Sequence, residues 1–447
     1  MRKRQTSWWR RLFWALVLLV LVMAAWLQWA GHGYLWRGLR LTYLQGHKTA
    51  HIDDARDFAQ APVAAGKPQA WPVSNKAASL PEPTRAYLQQ HGSAAFLVAH
   101  RGQIIHESYF APYGPQSATN SFSMVKTVVT LLTGAAVQDG FIESFDDPLV
   151  RWLPEYAQNT QAQRARLSQF SAMTSGHDWD ENYYLPINKT TELYYGGHAQ
   201  RTVLGQGFER EPGAAWEYSS ASTQVLAVAL QRALAAKVPG LTLSEYLSRR
   251  LWQPLGMSQA ASWSLDRPRE DGGMELAFCC LNINARDMAR IGQLLLQNGQ
   301  WRGREILPAE FVERITTPLP QARFYGHGLW MDPDHSTPFY FLQGHQGQYV
   351  IVLPSEELVV VRLGQWRDAT RLRHEKIPEE VYLYADVGRR MAQGRMPEAQ
   401  RLNRLYGRQN VDWFHRLTPR LDELRRDLRH IADQPELAPY VDVERAL

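Results

Sequence analysis

The sequence predicts an α+β fold: an antiparallel sheet built from both ends of the chain, flanked by helices, with a mainly helical region inserted at about 145–330. Three observations predict it. Two β-rich runs, 94–99 and 104–110, flank His100-Arg101-Gly102-Gln103 in the manner of a hairpin. Helical periodicity dominates the middle of the chain, through 167–173, 222–236, 243–251, 285–297 and 308–315. Strand-like runs then return at 339–342, 348–353 and 358–363.

Taken in order, the chain opens with Arg2, Lys3, Arg4, Arg10 and Arg11, which by themselves equal the whole formal charge of +5. Residues 12–447 are therefore neutral overall. A basic stripe able to neutralise phosphates is missing, so nucleic acid is excluded as a partner despite an isoelectric point of 9.1. The basic cluster precedes an apolar run, 12–30, with no Asp, Glu, Lys or Arg before Arg37. At ~1.5 Å per residue these nineteen residues span roughly 28 Å, the thickness of a bilayer core. Positive charge on one side and Trp26, Trp29, Tyr34 and Trp36 on the other predict a single-pass inner-membrane anchor, with the remainder outside the cytoplasm. A cleaved signal peptide is the competing reading, but the run is long and no small-residue cleavage site follows it. The mean hydropathy of −0.38 argues for no further span.

Residues 31–85 read as a juxtamembrane segment and an extended linker, because Pro62, Pro68, Pro72, Pro81 and Pro83 punctuate it. A short helix at 83–91 ends at Gly92. The folded domain is placed at 86–370. A helix over 123–138 buries Val125, Val128, Val129, Leu132 and Ala136, and stops at Asp139-Gly140. Residues 371–447 read as a mixed-charge helical tail, with helices at 402–406 and 421–431. Adjacent Cys279 and Cys280 are expected to be two small buried apolar residues, since a bridge between neighbours needs a strained ring.

Chemistry narrows to one pattern. G-x-S-x-G, G-x-x-x-x-G-K-[ST], H-E-x-x-H and C-x-x-C are all missing, so neither a metal nor a cofactor is expected. Ser123-Met124-Val125-Lys126 remains. Residues three apart share a helix face, so the lysine can reach the serine hydroxyl, and burial can lower its pKa to that of a base. Alone this spacing is weak; its context strengthens it. Downstream stand Met173-Thr174-Ser175-Gly176, Pro212-Gly213, Tyr218-Ser219-Ser220, Gln253-Pro254-Leu255-Gly256-Met257, Arg286-Asp287-Met288-Ala289-Arg290 and Gly344-His345-Gln346-Gly347.

In their order and spacing these pieces resemble the serine β-lactamase-related hydrolases: class C β-lactamases, DD-peptidases, related esterases and 6-aminohexanoate-dimer hydrolases. The resemblance covers about residues 90–370. The segment Thr174-Ser175-Gly176-His177-Asp178-Trp179-Asp180-Glu181 and His345 lean toward the last of these. The resemblance implies a β-lactamase/transpeptidase-like fold and a serine hydrolase that cleaves a small ester, amide or peptide. It implies Ser123 as nucleophile, Lys126 as its base, and Tyr218 as proton relay, which would need a lowered pKa. It also implies that His345 and Gly347 line the site while the backbone N–H groups of Ser123 and Gln348 form an oxyanion hole. Two departures stand out. Ser220 replaces the usual Asn and removes a side-chain amide from the substrate site. His345 replaces the lysine that meets a β-lactam carboxylate. Tyr183 and Tyr184 lie in an aromatic loop, 179–184, suited to a lid over substrate. A DD-carboxypeptidase or weak β-lactamase acting on peptidoglycan is the alternative activity, and a silent envelope-binding protein the alternative class.

Overall fold

The computed structural model describes residues 5–75, 79–183, 185–366, 372–374 and 376–395. A six-stranded antiparallel sheet forms its centre, in the spatial order Gln103–Tyr109, Ser93–His100, Leu358–Gly364, Gln348–Leu353, Phe339–Gly344 and Trp330–Asp332. The N-terminal hairpin meets the C-terminal strands in mid-sheet, where Val98 lies opposite Val360. Both faces are covered, which explains why these strands read as apolar runs rather than alternating ones. Val350, Val352, Val359 and Val361 face one core, with the helix Ala285–Leu296 on that side. Tyr349, Ile351, Leu358 and Val360 face the other, under the helix Glu379–Ala392. That helix carries the fold beyond the expected limit at 370. The expected helices at 402–406 and 421–431 lie outside the described residues.

The inserted region is helical as expected. The helix Val125–Gln138 is buried along most of its length and packs against Ser220–Lys237. A second sheet holds Ala59–Val63, Ala261–Leu265, Leu281–Ile283 and Thr119–Asn120, in that spatial order. The proline-rich segment is therefore more than a linker. Ala59–Val63 forms an edge strand, where Pro62 is tolerated. Trp71 anchors the run that follows by donating to the Gly102 carbonyl at 2.7 Å.

Among the described residues one helix, Trp8–Trp29, is long and apolar enough to cross a membrane, and none of its most apolar stretch is buried. The short helix Tyr34–Leu41 follows and docks on Lys189–Tyr195, with Gly38 against the Tyr195 ring.

Candidate active site

Ser123 sits in a 3₁₀ turn, Phe122–Met124, at the head of Val125–Gln138. Phe122 takes a left-handed φ of 45°, which costs strain for a bulky residue and turns the chain sharply. Asn120 secures the turn: its Oδ1 accepts from the Phe122 N–H at 2.8 Å and the Cys280 N–H at 3.1 Å. Gly344 lets the sheet edge approach, because a Cβ there would stand 2.4 Å from the Ser121 carbonyl oxygen.

Lys126 is buried one turn on. Its Nζ donates to Ser123 Oγ at 3.3 Å, Ser220 Oγ at 3.0 Å and the Phe278 carbonyl at 2.8 Å. Burial pushes its pKa down to about 8, with the Glu181 carboxylate pulling the other way. The ammonium also lies 5.3 Å from the centre of the Tyr218 ring. A share of Lys126 is thus neutral near physiological pH, far more than for an exposed lysine.

The expected lowering of the Tyr218 pKa is not seen. Burial raises it, the Glu181 charge raises it further, and only the neighbouring Ser123 hydroxyl opposes them. Tyr218 is therefore neutral in this setting. The 173–176 turn holds the tyrosine segment in place: Glu217 N–H donates to the Met173 carbonyl at 2.8 Å and Gly213 N–H to that of Thr174 at 2.7 Å.

Ser220 does not present an open hydroxyl to the cavity. It accepts from Lys126 and donates to Glu181 Oε1 at 2.5 Å, while its backbone N–H donates to Glu181 Oε2 at 2.7 Å. Glu181 also accepts from Trp179 Nε1 at 2.8 Å and from the Tyr183 hydroxyl. The carboxylate thus pins the 179–183 loop to the start of Ser220–Lys237, where the helix dipole favours negative charge. Glu181 is the main site residue to which sequence reading gave no role. Its signal was a carboxylate in an aromatic loop already suspected of covering the site.

His345 lines the same cavity. Its ring stacks on Tyr183, meets Phe122 edge-on at 5.4 Å, and has Nε2 3.3 Å from Thr49 Oγ1. Gln346 and Gly347 both have positive φ, 63° and 79°. Buried Arg362 locks this turn, donating to the Gln346 carbonyl at 2.9 Å and the Gly347 carbonyl at 2.7 Å. The Gln348 side chain is bound to Gly364 and the His345 carbonyl. Gln348 is fully buried in the strand pair with Gly344, and neither it nor Gly347 is among the residues lining the cavity, contrary to expectation. Tyr184 lies outside the described residues.

Cys279 and Cys280 are buried as expected but form a disulfide with each other, contrary to expectation. The bridge lies in the wall of the site. Cys279 lines the cavity, the preceding carbonyl holds Lys126, and Cys280 adopts a φ of 75°. Other quoted motifs are structural. Asp287 accepts from Ser258 N–H and Oγ, and Arg290 donates to the Leu255 carbonyl at 3.0 Å, tying 253–257 to the Ala285–Leu296 helix.

Serine, buried lysine and tyrosine around one hydroxyl, beside a sheet edge, define a hydrolase of the serine β-lactamase fold. The Beta-lactamase family model matches residues 82–381, two thirds of the chain, and the protein belongs to that family. It is 25% identical over 309 residues to the 6-aminohexanoate-dimer hydrolase of Paenarthrobacter ureafaciens, covering 63% of this chain and 74% of that protein. A Bacillus anthracis protein named provisionally as a 6-aminohexanoate-dimer hydrolase superposes with a TM-score of 0.59 at 22% identity, over 76% of this chain and 92% of its own. A family VIII carboxylesterase superposes at 0.52 with 15% identity, over 67% and 94%.

Proposed function

We propose that this protein is a membrane-anchored periplasmic serine hydrolase that cleaves an ester or amide through an acyl-enzyme on Ser123. The observation that carries the reading is the Lys126 ammonium, buried and pushed down to about 8 within 3.3 Å of Ser123 Oγ. In acylation, Ser123 Oγ attacks the substrate carbonyl and its proton passes to neutral Lys126. The Ser123 and Gln348 backbone N–H groups receive the oxyanion. Tyr218, neutral and lining the same cavity as Ser123, gives a proton to the leaving group and recovers one from Lys126. Water then attacks the acyl-serine by the same route in reverse. No metal or cofactor enters these steps.

The N-terminal helix supports anchoring, with the basic flank cytoplasmic and the folded domain across the membrane. Two measurements test the reading. Ester hydrolysis is expected to fall by several orders of magnitude in Ser123→Ala and Lys126→Ala, with the double variant little worse than either, because the pair acts as one unit. Multiplicative losses would make Lys126 merely structural. Full-length protein is expected to stay with membranes through a high-salt wash; a soluble form starting near Gly31 would show a cleaved signal instead.

A further inference from the structure

The cavity over Ser123 does not end at the hydrolase domain. It is an open cleft of about 1470 Å³, beyond the roughly 300–1,000 Å³ of an ordinary small-molecule site. One side holds Ser123, Tyr218 and His345. The other is formed by Met23 and Leu27 of the membrane-spanning helix, and by Leu35, Leu39 and Tyr43 of the segment after it, with Leu185 from the facing loop. Leu39, Tyr43 and Leu185 are also exposed to solvent, so an apolar rim joins the cavity to the anchor. Met23 stands six residues before Trp29, roughly 9 Å along the helix. With Trp29 at the membrane surface, this wall dips into the hydrocarbon of the outer leaflet. A water-borne substrate would gain little from such a wall, whereas an acyl chain passing along it exchanges water for apolar contacts.

We propose that the substrate is a membrane amphiphile whose long acyl chain, joined through an ester or amide, enters from the outer leaflet along Met23, Leu27, Leu35 and Leu39 and presents its carbonyl to Ser123. The chain's acyl–oxygen or acyl–nitrogen bond breaks as the bond to Ser123 Oγ forms, the alcohol or amine leaves with the relayed proton, and water releases the fatty acid. The inference rests on the hydrolase and anchor readings above.

The test uses full-length protein in phosphatidylcholine vesicles. With aqueous p-nitrophenyl esters from acetate to octanoate, kcat/KM is expected to rise about two- to fourfold per methylene. Leu39→Glu should cut the octanoate-to-acetate ratio at least tenfold, while Val238→Glu, exposed on the body away from the cavity, leaves it unchanged. Methylumbelliferyl palmitate in the same vesicles as the enzyme should turn over at least tenfold faster than in separate vesicles. A flat chain-length series, an unaltered ratio in Leu39→Glu, or equal rates from the two vesicle arrangements would overturn the inference. Acetate turnover lost in Ser123→Ala would then leave the hydrolase reading standing. Without Ser123-dependent turnover of any ester, both fail.

Discussion

The Ser220 hydroxyl stands between Lys126 Nζ, 3.0 Å away, and Glu181 Oε1, 2.5 Å away, accepting from the first and donating to the second. A buried amine and a loop carboxylate are thereby coupled through one oxygen. The residue that the sequence marks as a departure from the usual Asn has a different duty here. It links the 179–183 loop to the Lys126 amine.

The first prediction concerns that coupling. Lys126 is faced by Ser123, Ser220, the Phe278 carbonyl, the Tyr218 ring and the charge of Glu181. Since Lys126 acts when neutral, kcat/KM should rise with pH through about 8. Glu181→Gln removes the charge that favours the ammonium, so this limb should move to lower pH. An unmoved limb would uncouple Glu181 from the base.

Tyr218→Phe should harm amides far more than aryl esters. A nitrophenolate departs without a proton, whereas an amine does not, so general-acid help of ~10²–10⁴ falls mainly on the amide. Equal losses in kcat/KM, with acylation limiting, would pass the acid role to Lys126 or water.

Arg362 is fully buried and donates to Ser93 Oγ and to the carbonyls of His91, Gln346, Gly347 and Trp366. Arg362→Met orphans these acceptors and should cost about 3 kcal/mol or more in urea unfolding. Arg362→Lys should recover little, because a point ammonium cannot reproduce the planar fork. Full recovery by Lys would show that charge alone holds the His345–Gly347 turn.

Stability should fall on acidification between about pH 6.5 and 4. Burial holds both His177 and His327 down to about 4, away from 6.5. Over that window the unfolded chain binds protons that the folded chain refuses, so stability present above 6.5 is lost as pH falls. The thermal midpoint measured against pH should show this slope, and His177→Phe should flatten it. A slope unchanged by that substitution would assign the acid sensitivity to other groups.

Much of the fold was legible because its strands are long apolar runs bounded by turns and its helices carry strong periodicity. The hairpin at Ser93–Tyr109 and the helix after Ser123 needed only local pattern. What escaped depended on tertiary contact. Ala59–Val63 looked like linker because prolines mask an edge strand, and its partner lies some two hundred residues on. The tyrosine's pKa direction depended on the distant Glu181 charge and on burial, neither readable from Tyr218-Ser219-Ser220. Adjacent cysteines are rarely paired, so local geometry argued against a bridge that the fold accommodates at Cys280 with its positive φ. Arg362 sat unnoticed in an otherwise apolar strand, although a buried cation there was itself a signal.

The most direct test of the proposed chemistry is covalent. Full-length protein treated with a fluorophosphonate, then digested and mapped by mass spectrometry, should carry one phosphonyl group on Ser123, with labelling abolished in Ser123→Ala and strongly slowed in Lys126→Ala. Labelling that persists in Ser123→Ala, or an adduct on another residue, would contradict Ser123 as the nucleophile.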